Sequence, residues 1–112
     1  MRVVSSIGAG LLVLSSISYG DEYQGCRDAE LIQLGHEVQD VFGAAYCLGI
    51  VQGARDMATL HKVETGVGSV CVPKEKTTIE LVMEFNGVSY QAREYPLSGA
   101  ISGFLMINYP CE

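Results

Sequence analysis

A chain of 112 residues with four cysteines, 48% hydrophobic residues and a formal net charge of −6 is long enough for one small domain. Its 13 acidic against 7 basic residues exclude the basic footprint that nucleic acid or an anionic lipid surface requires. The balance suits either plain solubility or a basic partner, and the acidic groups are spread along the chain.

Residues 1–20 read as a secretory signal peptide. Met1-Arg2 supplies the positive start and Val3 to Ile17 the apolar run; Ser18-Tyr19-Gly20 puts small residues at the −3 and −1 positions of a cleavage site. The run is too short for a permanent span, and no small-residue lipobox precedes Cys26. The sequence therefore predicts a soluble mature domain, Asp21 to Glu112, with no membrane attachment after cleavage. About 92 residues and a charge of about −7 would remain. A domain of that size buries only roughly 60% of its unfolded surface, so covalent staples matter. In an oxidising compartment Cys26, Cys47, Cys71 and Cys111 predict two disulfides.

The segment Asp21 to Gly25 is polar and reads as frayed until Cys26 ties it down. Asp28 to Leu34 reads as a short helix ended by Gly35. Glu37 to about Lys62 reads as the longest helix, free of proline and apolar nearly all round, which predicts a central position. Within it Ala45, Gly49, Gly53 and Met57 recur every fourth residue. Three are small, and the reading is tight internal packing. Lys62 suits a helix C-terminus, and Glu64 to Val70 is a glycine-rich loop.

The next segment carries two conflicting signals. Thr77 and Glu80 have capping-box spacing, which predicts a helix through Leu81, Val82, Met83 and Phe85. Yet Ile79, Leu81, Met83 and Phe85 alternate with Thr78, Glu80 and Glu84, broken only by Val82, and Asn86-Gly87 leads into a second alternation at Val88, Tyr90 and Ala92. That is a hairpin pattern. Beyond Pro96, Ser98 is a candidate cap for a last helix through Ala100, Ile101, Phe104, Leu105 and Ile107, ending at Tyr109-Pro110-Cys111.

Catalytic and cofactor patterns are missing from the sequence. His36 and His61 do not stand near cysteines at zinc spacing, and there is no Cys-x-x-Cys, no Gly-x-Ser-x-Gly and no phosphate loop. The expectation is a non-enzyme without metal or cofactor. Asp56 is the one polar residue singled out in the long helix: a contact residue for a binding partner or, as favoured, a structural partner to a basic side chain or to the amides of the following loop.

The run Tyr46-Cys47-Leu48-Gly49-Ile50-Val51-Gln52-Gly53-Ala54-Arg55-Asp56 resembles a Tyr-Cys-x-Gly-aromatic-Ile/Val-x-Gly-x-x-Asp signature. Cys71-Val72-Pro73 is similar to a Cys-x-Pro element, and Tyr109-Pro110-Cys111 to an aromatic-Pro-Cys ending. Together, from Cys26 to Cys111, these resemble the Rap/Tai family of type VI secretion immunity proteins. Ile50 stands where that family usually has an aromatic residue.

The resemblance implies an all-α, disulfide-bonded periplasmic domain of about four helices, with Gly49, Gly53, Asp56, Pro73 and Pro110 as structural motif residues. It favours a helix over Thr78 to about Gln91, broken at Asn86-Gly87, over the local hairpin. Four cysteines allow three connectivities, among which the sequence does not choose; the helical reading prefers Cys26–Cys47 with Cys71–Cys111, whose longer loop would contribute ~4 kcal/mol in the chain-entropy model. The implied function is to bind and sterically block a peptidoglycan amidase toxin, in some members as a homodimer. The expected contact surface lies between the last two helices: Glu84, Asn86, Tyr90, Arg93, Glu94 and Tyr95; the alternative is that Tyr90 and Tyr95 cover the core. The competing expectations are a small acid-stress chaperone of the periplasm, whose many carboxylates would drive acid expansion, and an accessory periplasmic protein without a toxin.

Overall fold

The computed structural model describes residues 20–89 and 94–111. They form four helices: α1 (Gly20–Gln33), α2 (Val41–Thr65), α3 (Thr78–Asn86) and α4 (Leu97–Asn108). Among the described residues the sole β feature is an isolated antiparallel bridge between Val70 and Pro110. The small all-α domain with two disulfides is therefore as the sequence predicts.

Helix α1 begins earlier than expected. The polar stretch read as frayed is helical because tertiary contacts recruit it. Tyr23, Cys26 and Ala29 recur every third residue and are buried. A Cβ on Gly25 would lie 2.3 Å from the Gly43 carbonyl oxygen, so the backbones of α1 and α2 touch there. Gly35, at φ 93°, closes the helix as the sequence predicts.

Helix α2 starts at Asp40 rather than Glu37: the Asp40 carboxylate accepts from Gly43 N at 2.9 Å. It ends on Gly66 at φ 74°, whose N–H donates to Lys62 O. The expected burial all round is not met. Ala44, Cys47 and Val51 are buried, while Phe42 is 86% exposed and Tyr46, Met57, Leu60 and Val63 are also open. Gly49 and Gly53 have open space where a Cβ would stand, so they do not serve internal packing. The close approach that small residues allow occurs instead at Gly25 and Gly43.

The helix wins over the hairpin in α3. Both halves of the capping box form: Glu80 N donates to Thr77 Oγ1 at 3.2 Å, and Thr77 N to Glu80 Oε1 at 2.8 Å. Leu81, Val82 and Phe85 are buried at helical spacing. An Asn-Gly hairpin turn needs positive φ at both residues, and Gly87 sits at φ −65°. The helix stops at Asn86, at the break expected at Asn86-Gly87; Tyr90 and Gln91 lie outside the described residues. In α4 Ser98 lies inside the helix and Pro96 is the cap residue, without a side-chain cap bond. Leu97, Ala100, Ile101, Phe104 and Leu105 bury one face.

The core is one cluster drawn from all four helices. An aromatic series runs through it. Ring centroids lie 5.8 Å apart for Tyr23–Phe85, 5.7 Å for Phe85–Phe104 and 6.5 Å for Phe104–Tyr109, the last two edge-on. The disulfides are Cys26–Cys47 and Cys71–Cys111.

Candidate functional site

The connection between α3 and α4 is pinned at both ends to α1. On the near side, Asn86 Nδ2 donates to Cys26 O at 3.0 Å and to Glu30 Oε1 at 2.8 Å. On the far side, the Tyr23 hydroxyl donates to Tyr95 O at 3.0 Å, and Leu97 N donates to Glu22 Oε2 at 3.3 Å. The last bond supplies the acceptor that Pro96 lacks as a cap. Burial, and then the neighbouring Glu22 carboxylate, raise the Tyr23 phenol above its ordinary range, so it remains a donor at neutral pH. Between these anchors Val88, Glu94 and Tyr95 are exposed, Tyr95 by 60%.

The six residues predicted to contact a partner divide into three groups. Glu94 and Tyr95 face solvent as expected. Tyr90 and Arg93 lie outside the described residues. Glu84 and Asn86 are engaged within the domain. Asn86 holds α3 on α1, and its Oδ1 is buried without a hydrogen-bond partner among the described residues. Glu84 accepts from Lys76 Nζ at 2.7 Å and from the Tyr109 hydroxyl, and so ties the 73–76 turn to α3 and to the chain after α4.

Charge in this small network is mutually adjusted. Burial pushes the Glu84 carboxyl up, but the Lys76 and Tyr109 hydrogen bonds outweigh it and hold the group below the ordinary glutamate range. The Glu84 bond raises the Lys76 ammonium. Burial, then the same glutamate, raises the Tyr109 phenol. The Thr77 backbone N–H, then its hydroxyl, hold Glu80 low.

Arg55 is the residue that the sequence reading underrated. Its guanidinium donates to Lys76 O, to Pro73 O at 2.8 Å and to Lys74 O at 3.4 Å, fixing the turn that leads into α3. Asp56, singled out beside it, accepts from Gln52 Nε2 at 2.8 Å and, among the described residues, pairs with neither a basic group nor the glycine loop. An arginine that collects carbonyls has no periodic sequence signal; the Cys-x-Pro turn that it holds was the clue. Pro73 and Pro110 are exposed. Their roles are local: Pro73 O accepts from Arg55, and Pro110 bridges Val70.

A second surface is the open face of α2. Helix geometry, at 100° per residue, puts Phe42, Tyr46, Gly49, Gly53, Met57 and Leu60 on one stripe opposite Ala44, Cys47 and Val51. Exposed apolar area of this kind marks an interaction surface more often than a solvated one. Among the described residues no group of His, Cys, Asp and Glu could hold a metal ion, and no helix is long and apolar enough to cross a membrane.

Comparison with known proteins finds no matching family model, no matching curated protein and no matching solved structure.

Proposed function

We propose that this chain is a periplasmic immunity protein that binds a peptidoglycan amidase delivered by type VI secretion and blocks its cleft sterically. The observation that carries the reading is the α3–α4 connection. It is held on both sides by hydrogen bonds to α1 and presents Glu94 and Tyr95 outward. Glu94 and Tyr95 stand beside the Tyr23 and Glu22 bonds and so lose little conformational freedom on binding, which favours affinity. Exposed tyrosine is a preferred interface anchor. The resemblance in the Tyr46–Asp56, Cys71–Pro73 and Tyr109–Cys111 motifs supports the amidase as the partner. Two disulfides fit an oxidising compartment.

The test is capture of peptidoglycan hydrolases on the oxidised mature chain, followed by an inhibition assay on what binds. Stoichiometric capture and inhibition of one amidase is the expected result. Tyr95→Ala, and separately Tyr90→Ala, should weaken capture by about tenfold or more while the protein stays folded. No hydrolase bound at micromolar protein overturns the reading. Capture that survives both substitutions overturns the surface.

The open α2 face favours a second copy of the chain as its occupant. In an antiparallel two-fold pairing centred level with Val51, helix geometry sets Phe42 against Leu60, Tyr46 against Met57 and Gly49 against Gly53. The glycines let the two backbones approach, and the large groups close the ends. Light scattering coupled to gel filtration should give a dimer that Phe42→Asp converts to monomer; a monomeric wild-type chain overturns this pairing and leaves the amidase reading standing.

A further inference from the structure

The two disulfides have different surroundings. Cys26 and Cys47 are fully buried. Cys71 and Cys111 are partly exposed and line, with Lys62, Gly68 and Pro110, an open cleft of about 630 Å³. The Lys62 ammonium donates to Cys71 Sγ at 3.3 Å. The other sulfur has a glycine beside it: a Cβ on Gly68 would stand 3.6 Å from Cys111 Sγ. Cys71 Sγ is thus paired with a cation, and Cys111 lines the cleft beside Gly68, which has no side chain and against which the Lys62 stem also lies.

We propose that Cys71–Cys111 is a thiol–disulfide exchange site for a small acidic thiol, with Cys111 Sγ the sulfur attacked and Cys71 Sγ the leaving group. The cleft has small-ligand size, and Lys62 at its wall attracts a carboxylate-bearing thiol. In the step, the incoming thiolate forms a bond to Cys111 Sγ as the Cys71–Cys111 bond breaks. The electron pair leaves on Cys71 Sγ as a thiolate, which the Lys62 ammonium stabilises in place. The products are a mixed disulfide on Cys111 and a free Cys71 thiolate. A second equivalent of the thiol resolves the mixed disulfide, leaving Cys111 reduced and the small thiol oxidised. Exchange is faster when the leaving sulfur is the better thiolate, which is the role assigned to Lys62. The bridge spans 40 residues that include α3, the pinned connection and α4, so exchange loosens that part of the fold and leaves α1 stapled to α2.

The experiment incubates the oxidised mature chain with reduced glutathione, quenches with N-ethylmaleimide at intervals and maps the adducts by peptide mass spectrometry. Glutathione should appear on Cys111 and the maleimide on Cys71, at least about tenfold faster than any adduct on Cys26 or Cys47. Lys62→Met should slow exchange by about three- to tenfold, and Lys62→Arg should keep it fast. Dithiothreitol, a neutral dithiol, separates steering from leaving-group help: Lys62→Met should slow it as well. Equal rates at the two bridges overturn the proposal, as does glutathione found on Cys71. A Lys62→Met effect confined to glutathione overturns the leaving-group assignment. Reduction by a protein dithiol but not by glutathione overturns the small-thiol class.

Discussion

The two faces of α2 are both apolar, yet only one is covered. The covered face carries Ala44, Cys47 and Val51 against α1 and the core. The open face carries Phe42, Tyr46, Met57 and Leu60 around two glycines. The difference teaches that hydrophobic periodicity states what a helix can bury and leaves open which neighbour does the burying. The covered side is defined by features of α1 and α3: a glycine that admits backbone contact, a disulfide, and the Arg55-held turn that brings Thr78 to within hydrogen-bonding reach of Gln52.

The largest break in this comparison should come from Gly25→Ala. The new methyl would meet the Gly43 carbonyl at 2.3 Å, a backbone atom that cannot swing aside. A loss of about 3 kcal/mol is expected, or roughly 12–24 °C in a thermal melt of a domain this size with disulfides intact. An unchanged melting temperature would show that α1 and α2 are not in backbone contact.

Next in size, Val51→Ala removes two methyl groups from a site 1% exposed and should cost about 2 kcal/mol in urea unfolding. The open face should respond with the opposite sign. Gly49→Ala and Gly53→Ala add a methyl to open space in mid-helix. Each should raise monomer stability by about 0.5–1 kcal/mol while weakening self-association. Phe42→Ser should change monomer stability by no more than about 0.5 kcal/mol. A large destabilisation by Phe42→Ser would mean that the face is covered within the monomer.

The smallest effect concerns the segment that covers α2 from the α3 side. Glu80 and Glu84 are both held low by hydrogen bonds. A carboxyl lowered on folding adds stability above its unfolded value and loses it as pH falls through the folded one. Both side chains are solvent-accessible, so the contribution is screened and small. Below about pH 4.3 amide protection factors over 73–86, corrected for the intrinsic rate at each pH, should fall before those in α1 do. Simultaneous loss of protection would argue that the two sides of α2 open together.

Much of the local structure was legible in the sequence. The capping box at Thr77 and Glu80 needs only residues three apart, and it forms as spaced. Gly35 and Gly66 end their helices in the left-handed region. The hairpin pattern at Asn86-Gly87 failed because alternation and helical spacing share Leu81 and Phe85, and burial against Tyr23 and Phe104 selects the helix. The start of α1 was missed because residues 21–25 carry a polar pattern; Tyr23 becomes buried only once Phe85 is beside it. Of the candidate contact surface, Glu94 and Tyr95 were legible as exposed polar and aromatic groups. The internal partners of Glu84 and Asn86, namely Lys76, Tyr109, Cys26 and Glu30, were not legible, because the fold brings them together.

By itself the sequence determined what depends on near neighbours: the capping box of α3, the glycines that close α1 and α2, and four cysteines for two bridges. The tertiary structure alone decided which small residues sit at a contact and which face open space, which arginine gathers a turn, which face of α2 stays bare, and which disulfide is buried and which has a lysine at its sulfur. Those outcomes rest on atoms far apart in the chain meeting in space, and a one-dimensional pattern holds no record of that meeting.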